Sequence, residues 1–437
     1  MKRFDRRGLS FGTIFMLTLT SLVLIGFFAL LPTLTGTTNI STNAIDLAVK
    51  LDQSFSQLIN AQVSTKAPDA SHSGLSPLTT PVPTVTPAPT APPIKQFSLC
   101  AAGAIQLDSS ALNSLTDKDI GYRFDLMFES LGSMMQSDLT IATLRNQVIP
   151  TDKLSSSNMP IDLLNAMKNA GIDAVCVGHL NGLNAGVSGL GTTKASIQAA
   201  GMTPYGLYTT PAERETAVIG TTNGVRVGLL SYQNELSSTG RNKTTKEEQT
   251  YVFAPLEIET IKTDIARLRQ KGAEVVIVSL CWGKTNATSP TNAQREQAQQ
   301  IADAGADIIL GTNPQALFPV EILTAQRNDG RYHPVLCAYS MGNLFTYDRE
   351  SRVNLASILL HADVQYDPST GTVAFDNLSY DPTYCWRGKI DNTTRTAILS
   401  AHEGLAPDFV DQKQLDVMRR CYKLITEVMA NGVLKER

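Results

Sequence analysis

Histidine is scarce in this chain: five residues among 437, at His72, His179, His333, His361 and His402. Metal or acid–base chemistry that depends on imidazole is confined to very few places. The six cysteines include no Cys-x-x-Cys pair, which removes the usual zinc and redox signatures. Excess charge of either sign is missing too. A net charge of −3 leaves no electrostatic footprint for nucleic acid, so no nucleic-acid partner is expected. What is present is 42% hydrophobic residues against 18% charged, enough to bury at least one large core.

The only basic cluster is at the amino terminus, where Lys2, Arg3, Arg6 and Arg7 precede a run from Phe11 to Leu31 that carries no charge. At about 1.5 Å per helical residue this run crosses the roughly 30 Å bilayer core. The flanking charge places residues 1–10 in the cytoplasm and everything after about Thr35 outside it. A cleaved signal peptide is the alternative, but its apolar region would be shorter, and Leu31-Pro-Thr-Leu-Thr-Gly lacks an Ala-x-Ala-like cleavage site. The expected arrangement is a signal anchor over 11–34 in a single-pass cell-membrane protein. A juxtamembrane helical stub follows at 35–65. Leu47, Leu51, Phe55 and Leu58 give residues 43–61 an apolar stripe that either pairs two copies of the chain or lies against lipid or protein. Residues 66–95 shift to Pro, Thr, Ser and Ala, the composition of a semi-rigid spacer that cannot fold alone.

From Phe97 onward, strands and helices alternate. Strands are expected at Phe97–Ile105, Asp138–Arg145, Ile172–Val177 and Met202–Leu207. An amphipathic helix is expected over Tyr122–Leu131, another from Pro160 to Gly171, and a third over Thr192–Ala200. Asn223-Gly224 before a strand predicts a hairpin, and Asn234–Gln249 reads as a surface loop. Leu256–Lys271 is a helix with Ile258, Ile261, Ile265 and Leu268 inward.

The stretch from Glu274 to Asn343 organises the rest. Glu274–Cys281 is a β-branched apolar run typical of a strand buried on both faces. Thr291-Asn-Ala-Gln294 has capping-box spacing and starts a helix that stops at Gly305. Asp307–Leu310 is a second buried strand, so the unit is strand–helix–strand with a right-handed crossover. Its turns, Cys281-Trp282-Gly283, Gly311-Thr-Asn-Pro-Gln315 and Tyr339-Ser-Met-Gly-Asn343, should reach one sheet edge, where ligands of such sheets bind. After a turn at 367–371, Asp411–Ala430 closes the chain as a helix with Leu415, Met418, Cys421, Tyr422, Ile425 and Met429 on one side. An exported chain permits disulfides. Buried thiols suit Cys100, Cys176, Cys281 and Cys337, and a Cys385–Cys421 bridge is the one pairing considered.

Those three turns, with Asp303-Ala-Gly-Ala-Asp-Ile-Ile-Leu-Gly311 and Pro319-Val-Glu321, resemble the CapA-type proteins of poly-gamma-glutamate capsule synthesis. The resemblance covers about residues 97–343 and implies a calcineurin-like metallophosphatase fold, a layered α/β sandwich. On that basis residues 96–385 form the CapA-like domain and 386–437 a carboxyl-terminal extension.

The family's ionisable motifs are altered in this chain. The resemblance implies Gly-Asp where Gly103-Ala104 stands, and Asn-Leu-Glu where Thr143-Leu144-Arg145 stands. It implies His-Trp-Gly at Cys281-Trp282-Gly283 and Gly-x-His-Pro-His at Gly311–Gln315. In Gly178-His-Leu-Asn-Gly-Leu-Asn-Ala-Gly186, His179 falls on the first Asn of the family's Ala-Asn-Asn-His motif, Asn181 on its His, and Asn184 near a following Asp. A two-metal site needs Asp, His and Asn from several strand ends; only His179 supplies an imidazole within any motif. No metal and no other cofactor is therefore expected. A zinc site on His179 and Cys281 would have suitable ligand types but only two of the four needed.

The candidate cleft comprises His179, Asn181, Asn184, Cys281, Trp282, Asn313, Gln315 and Asn343. Trp282 and the amides would stack on and hydrogen-bond a sugar or peptide unit, unless the indole is core and the amides cap turns. The expected function is metal-free binding or scaffolding of a cell-envelope polymer, with that polymer or capsule synthesis proteins as partners. The alternatives are a metal-dependent hydrolase using His179, Cys281 or Asp108 in a rearranged site, and a sensor that dimerises through its membrane stub.

Overall fold

The computed structural model describes residues 92–437, apart from 118, 120, 151–157, 328 and 349–351. The expected cytoplasmic tail, membrane anchor, stub and nearly all of the spacer lie outside the described residues. Among the described residues, no helix is long and apolar enough to cross a membrane.

The apolar runs form two sheets. In the first, β1 (Lys95–Ile105), β2 (Leu139–Leu144), β3 (Ala174–Cys176) and β4 (Thr203–Tyr205) are parallel neighbours in that order. In the second, β5 (Val218–Thr222) and β6 (Val225–Gln233) form the expected hairpin around Asn223 and Gly224, both at positive φ. β6 then runs parallel to β7 (Val275–Cys281), which is followed by β8 (Ile308–Thr312). An antiparallel β9 (Val320–Gln326) pairs with β10 (Tyr332–Ala338), which lies parallel to β8. The second sheet thus has six strands, ordered β9-β10-β8-β7-β6-β5.

The first sheet is completed by the rest of the chain. A short β11 (Asn343–Phe345) pairs with β1. β12 (Ala356–Asp367), β13 (Thr372–Ile390) and β14 (Thr393–Ser400) extend the sheet antiparallel on the far side of β1. Lys435–Glu436 pairs with β13 and makes the ninth strand. The expected domain end at 385 falls inside β13, and residues 386–437 continue the same sheet and core.

Alternation of side chains sorts each strand into two layers. Leu99, Ala101, Ile141, Ala174, Val227, Leu229, Val275, Ile277, Ile308 and Leu310 fill the core between the sheets. On the opposite face of the nine-stranded sheet, Ala142, Leu144, Val175 and Val177 pack on α1 (Asp162–Asn169) and α2 (Gly186–Ala199). Outside the six-stranded sheet, Val276, Val278 and Ile309 pack on α3 (Ile258–Gln270) and α4 (Asn292–Asp303), the latter opened by the expected Thr291/Gln294 capping box. The result is a four-layer α/β sandwich. α5 (Gln412–Met429) joins the inter-sheet core through Met418, Cys421, Ile425 and Met429.

Several local readings change. Tyr122–Leu131 is not one helix but a single turn at Asp125–Phe128 followed by a 3-10 segment, Glu129–Met135, broken where Gly132 takes φ 47°. Its apolar residues are nonetheless buried, because periodicity reports the face and not the hydrogen-bond ladder. α2 begins at Gly186 rather than Thr192; its glycine-rich first turns carry no apolar stripe to announce them. The loop 234–249 contains a short helix, Ser238–Asn242, capped by Ser237. Cys385 and Cys421 form no bridge: all six cysteines are buried thiols. Cys385 Sγ lies 3.5 Å from the Leu344 carbonyl, within the sheet.

Candidate functional site

The parallel strands β2 of one sheet and β6, β7 and β8 of the other end at their carboxyl edges with inward-facing side chains that change character. Along β2 the inward positions read Leu139, Ile141, Thr143 and then Arg145 just past the strand. β6 reads Val227, Leu229, Ser231, Gln233; β7 reads Val275, Ile277, Ser279, Cys281; β8 reads Ile308, Leu310, Thr312. Each strand is apolar for most of its length and polar at its end. All these residues are buried, so the layer between the sheets turns from oil to hydrogen-bonding groups at a single edge.

The middle of this gradient is well satisfied. Tyr205 Oη lies 2.7 Å from Ser279 Oγ across the sheets, and Cys176 Sγ is 3.4 Å from Ser231 Oγ. The sheets close on each other here because residue 178 has no side chain: a Cβ at Gly178 would come within 2.0 Å of Ser231 Oγ.

The end of the gradient is different. Arg145, which follows β2, is 5% exposed, and neither Nε nor Nη1 has a hydrogen-bond partner. Burial draws its pKa down to about 10, still leaving it a cation at neutral pH. An unpaired buried ion costs several kcal/mol. His179, past the end of β3, is fully buried. Its Nδ1 accepts a 3.4 Å bond from the Asn181 amide, which leaves the proton on Nε2, and Nε2 has no partner. Burial, then the charge of Arg145, hold its pKa well below the usual 6.5, so the imidazole is neutral. Cys281 receives the Leu180 amide on its sulfur, and burial pushes the thiol up to about 12. In that state it is not a thiolate nucleophile.

The other candidates form a second linked set. Asn313, at φ 92°, donates from Nδ2 to the Gly283 carbonyl at 2.8 Å, and its Oδ1 is unpartnered. Gln315 is also at positive φ, 64°, where a side chain with a Cβ is strained. Asn343 Nδ2 reaches the Gln315 and Asn354 carbonyls at 3.5 and 3.4 Å, and its Oδ1 is unpartnered. Ala104 stands in register between Asn343 and Thr143, so its methyl lies beside the second set. Asn184 accepts a 2.6 Å bond from Ser237 Oγ and, like Asn181, is half-buried.

One expectation changes. Trp282 is 1% exposed, belongs to the outer core of the six-stranded sheet, donates Nε1–H to the Tyr339 carbonyl at 3.0 Å and stacks on the Tyr339 ring. It has no face left for a sugar. Asp108 caps the helix Ser109–Ser114, its Oδ1 accepting from the Ala111 amide at 2.8 Å. Arg145 was visible only as a reversed charge in a family motif, and Gln233, whose Oε1 is also a buried orphan, was not singled out. Period-2 counting along β6 would have placed Gln233 on the inner face.

The donor set does not suit a dinuclear metal centre. A methyl, a guanidinium that repels cations, one neutral imidazole, a protonated thiol and amides occupy the strand ends. Among the described residues, no three or more His, Cys, Asp or Glu side chains are grouped to hold a metal ion.

Fold and site together define a layered α/β sandwich with a polar strand-end edge whose charged member is a guanidinium. Residues 98–348, more than half of the chain, match the model of the family described as bacterial capsule synthesis protein PGA_cap, and the chain belongs to that family. It is 31% identical over 127 residues to the PGA biosynthesis protein CapA of Bacillus subtilis (strain 168), spanning 29% of this chain and 30% of that protein. It is 25% identical over 189 residues to the capsule biosynthesis protein CapA of Bacillus anthracis, 43% of each. The chain thus aligns with less than half of either relative's length. Among solved structures, it is similar to a 5'-nucleotidase precursor from Thermus thermophilus, with 12% identity, 76% of this chain, 59% of that one and a TM-score of 0.38. It is also similar to a phosphatase of Mycoplasma pneumoniae, with 11% identity, 66% of this chain, 94% of that one and a TM-score of 0.40. Neither likeness is close enough to transfer an activity.

Proposed function

We propose that this PGA_cap family member is a membrane-anchored, extracytoplasmic protein that binds or scaffolds an envelope polymer of the poly-gamma-glutamate kind during capsule or cell-envelope synthesis. The observation that carries this reading is the exchange at the strand ends: the frame of the family's site is kept, while Ala104, Arg145, Cys281 and Gln315 stand where the resemblance implies metal-binding or acidic groups. A buried cation and unpartnered amide oxygens suit a polyanionic polyamide, which offers carboxylates and N–H groups in turn. The run 11–31 supplies the anchor, the 66–95 spacer holds the domain away from the membrane, and residues 43–61 supply a stripe through which two copies can pair.

The test is metal content and polymer binding of the full-length chain purified in detergent without chelator, then offered Mn, Zn and Fe. The expected result is metal far below one equivalent together with retention on immobilised poly-gamma-glutamate. One or two tightly held ions, lost in His179→Ala and accompanied by metal-dependent phosphodiester turnover, would replace this reading with a hydrolase. A reporter fused after residue 437 should be active only outside the cytoplasm.

A further inference from the structure

We propose that Arg145 and His179 form a metal-independent oxyanion site at the strand-end edge, in which the guanidinium takes the electrostatic place that cations would otherwise hold. The inference rests on the polymer-binding reading and names the chemistry of its recognition: one carboxylate or phosphate group inserted between the sheets.

The argument starts from what is missing around Arg145. Even half-buried arginines here meet a carboxylate, as Arg269 and Arg327 both do at Asp307. Arg145 has no partner at Nε or Nη1, although its position on the inward face of β2 points it at the most polar part of the inter-sheet layer. Two of the three guanidinium nitrogens are therefore buried without a partner, a cost that an anionic ligand would offset.

The second observation is independent. His179 sits past the end of the neighbouring strand β3, close enough to feel the Arg145 charge, with an Nε2–H that has no acceptor. Two unmet donor groups, one charged and one neutral, lie just past the ends of adjacent strands, and both suit an oxyanion. Gln233 Oε1 is a buried acceptor at the end of β6, in register with Cys281 on β7, and suits a ligand N–H. Half-buried Asn181 and Asn184 follow His179 on its own loop, leaving that loop partly open to solvent.

The test uses the full-length chain in detergent, titrated at constant ionic strength with inorganic phosphate and, separately, with a short gamma-linked glutamate oligomer, followed by melting temperature. At least one of the two should raise the melting temperature of the native protein. Arg145→Met should abolish that response, and Arg145→Lys, which keeps the charge without the planar fork, should weaken affinity. The loss of one charge-assisted hydrogen-bonding group corresponds to roughly 10- to 100-fold. His179→Gln should weaken the same anion. A preference for phosphate would assign the site to a phosphorylated ligand, and a preference for the oligomer to the polymer's own carboxylates; each upholds it. Native protein indifferent to both anions overturns the proposal, as does unchanged affinity in both Arg145→Lys and His179→Gln. Polymer retention on the same preparations separates the two readings. A chain that responds to anions through Arg145 but ignores polymer keeps this site and loses the polymer role; one that binds polymer equally with Arg145→Met keeps the polymer role and loses this site.

Discussion

The turns after β7, β8 and β10 and the turns after β2 and β3 lie along the same edge of the sandwich, yet they differ in what they leave unmet: acceptor oxygens of Asn313 and Asn343 in the first, donor nitrogens in the second. In the first region the Trp282 indole is matched to the Tyr339 carbonyl, Ser340 Oγ to the Ala316 carbonyl at 2.7 Å, and the Asn313 amide to Gly283. In the second, Arg145 and His179 keep buried nitrogens without partners. A region whose donors are met contributes stability. One that holds its donors unmet gives stability up, and unmet donors are what a ligand can use.

The largest break of that comparison is Gly311→Ala. A Cβ there would sit 2.0 Å from the Tyr339 carbonyl oxygen and 2.7 Å from Trp282 Nε1, and the first obstacle is backbone that cannot rotate away. The expected destabilisation is at least about 3 kcal/mol, read as a lost or strongly lowered melting transition. Next is Trp282→Phe, which keeps most of the stacking but strands the Tyr339 carbonyl; denaturant unfolding should show a loss of about 1–3 kcal/mol. Arg145→Met should behave in the opposite way, with stability unchanged or raised, because the substitution removes an unpaired buried charge. Lowered stability in Arg145→Met would mean the guanidinium is a structural strut, and the contrast between the two regions would fail.

The smallest effect sharpens the comparison through pH. His179 is neutral in the fold with its pKa depressed below 6.5, while the unfolded chain takes the proton near 6.5. As pH falls below 6.5 the unfolded state binds more protons, so stability is present above that pH and declines from there toward the lower folded value. One such group contributes a slope of at most about 1.4 kcal/mol per pH unit. His179→Gln should melt with a flatter pH dependence between about pH 6.5 and 5 than the native chain; parallel curves would show that His179 is not buried as a neutral base.

Much of this was open to a reader of the sequence. The Thr291 capping box, the Asn223-Gly224 turn and the apolar runs of β7 and β8 are local signals, settled by a few adjacent residues, and they form as expected. The 122–131 segment departed from expectation because hydrophobic spacing registers the buried face and not the change from an α turn to a 3-10 segment after Phe128. The candidate site was read only in part, since a motif shows which residue types reach the strand ends and says nothing of what surrounds them. Trp282 illustrates the limit: its position was legible, but its commitment to Tyr339, a residue 57 positions away in sequence, was not.

The sequence by itself determined the alternation of strands and helices, the family frame of the turns and the residues Ala104, Arg145, Cys281 and Gln315 that stand at the strand ends. Tertiary structure alone decided that two sheets would face each other with their polar ends together, and that Arg145 and His179 would be buried there with donors unmet. The reason is physical: a propensity or a turn depends on neighbours in the chain, whereas the absence of a partner depends on every residue that packing could have brought near and did not.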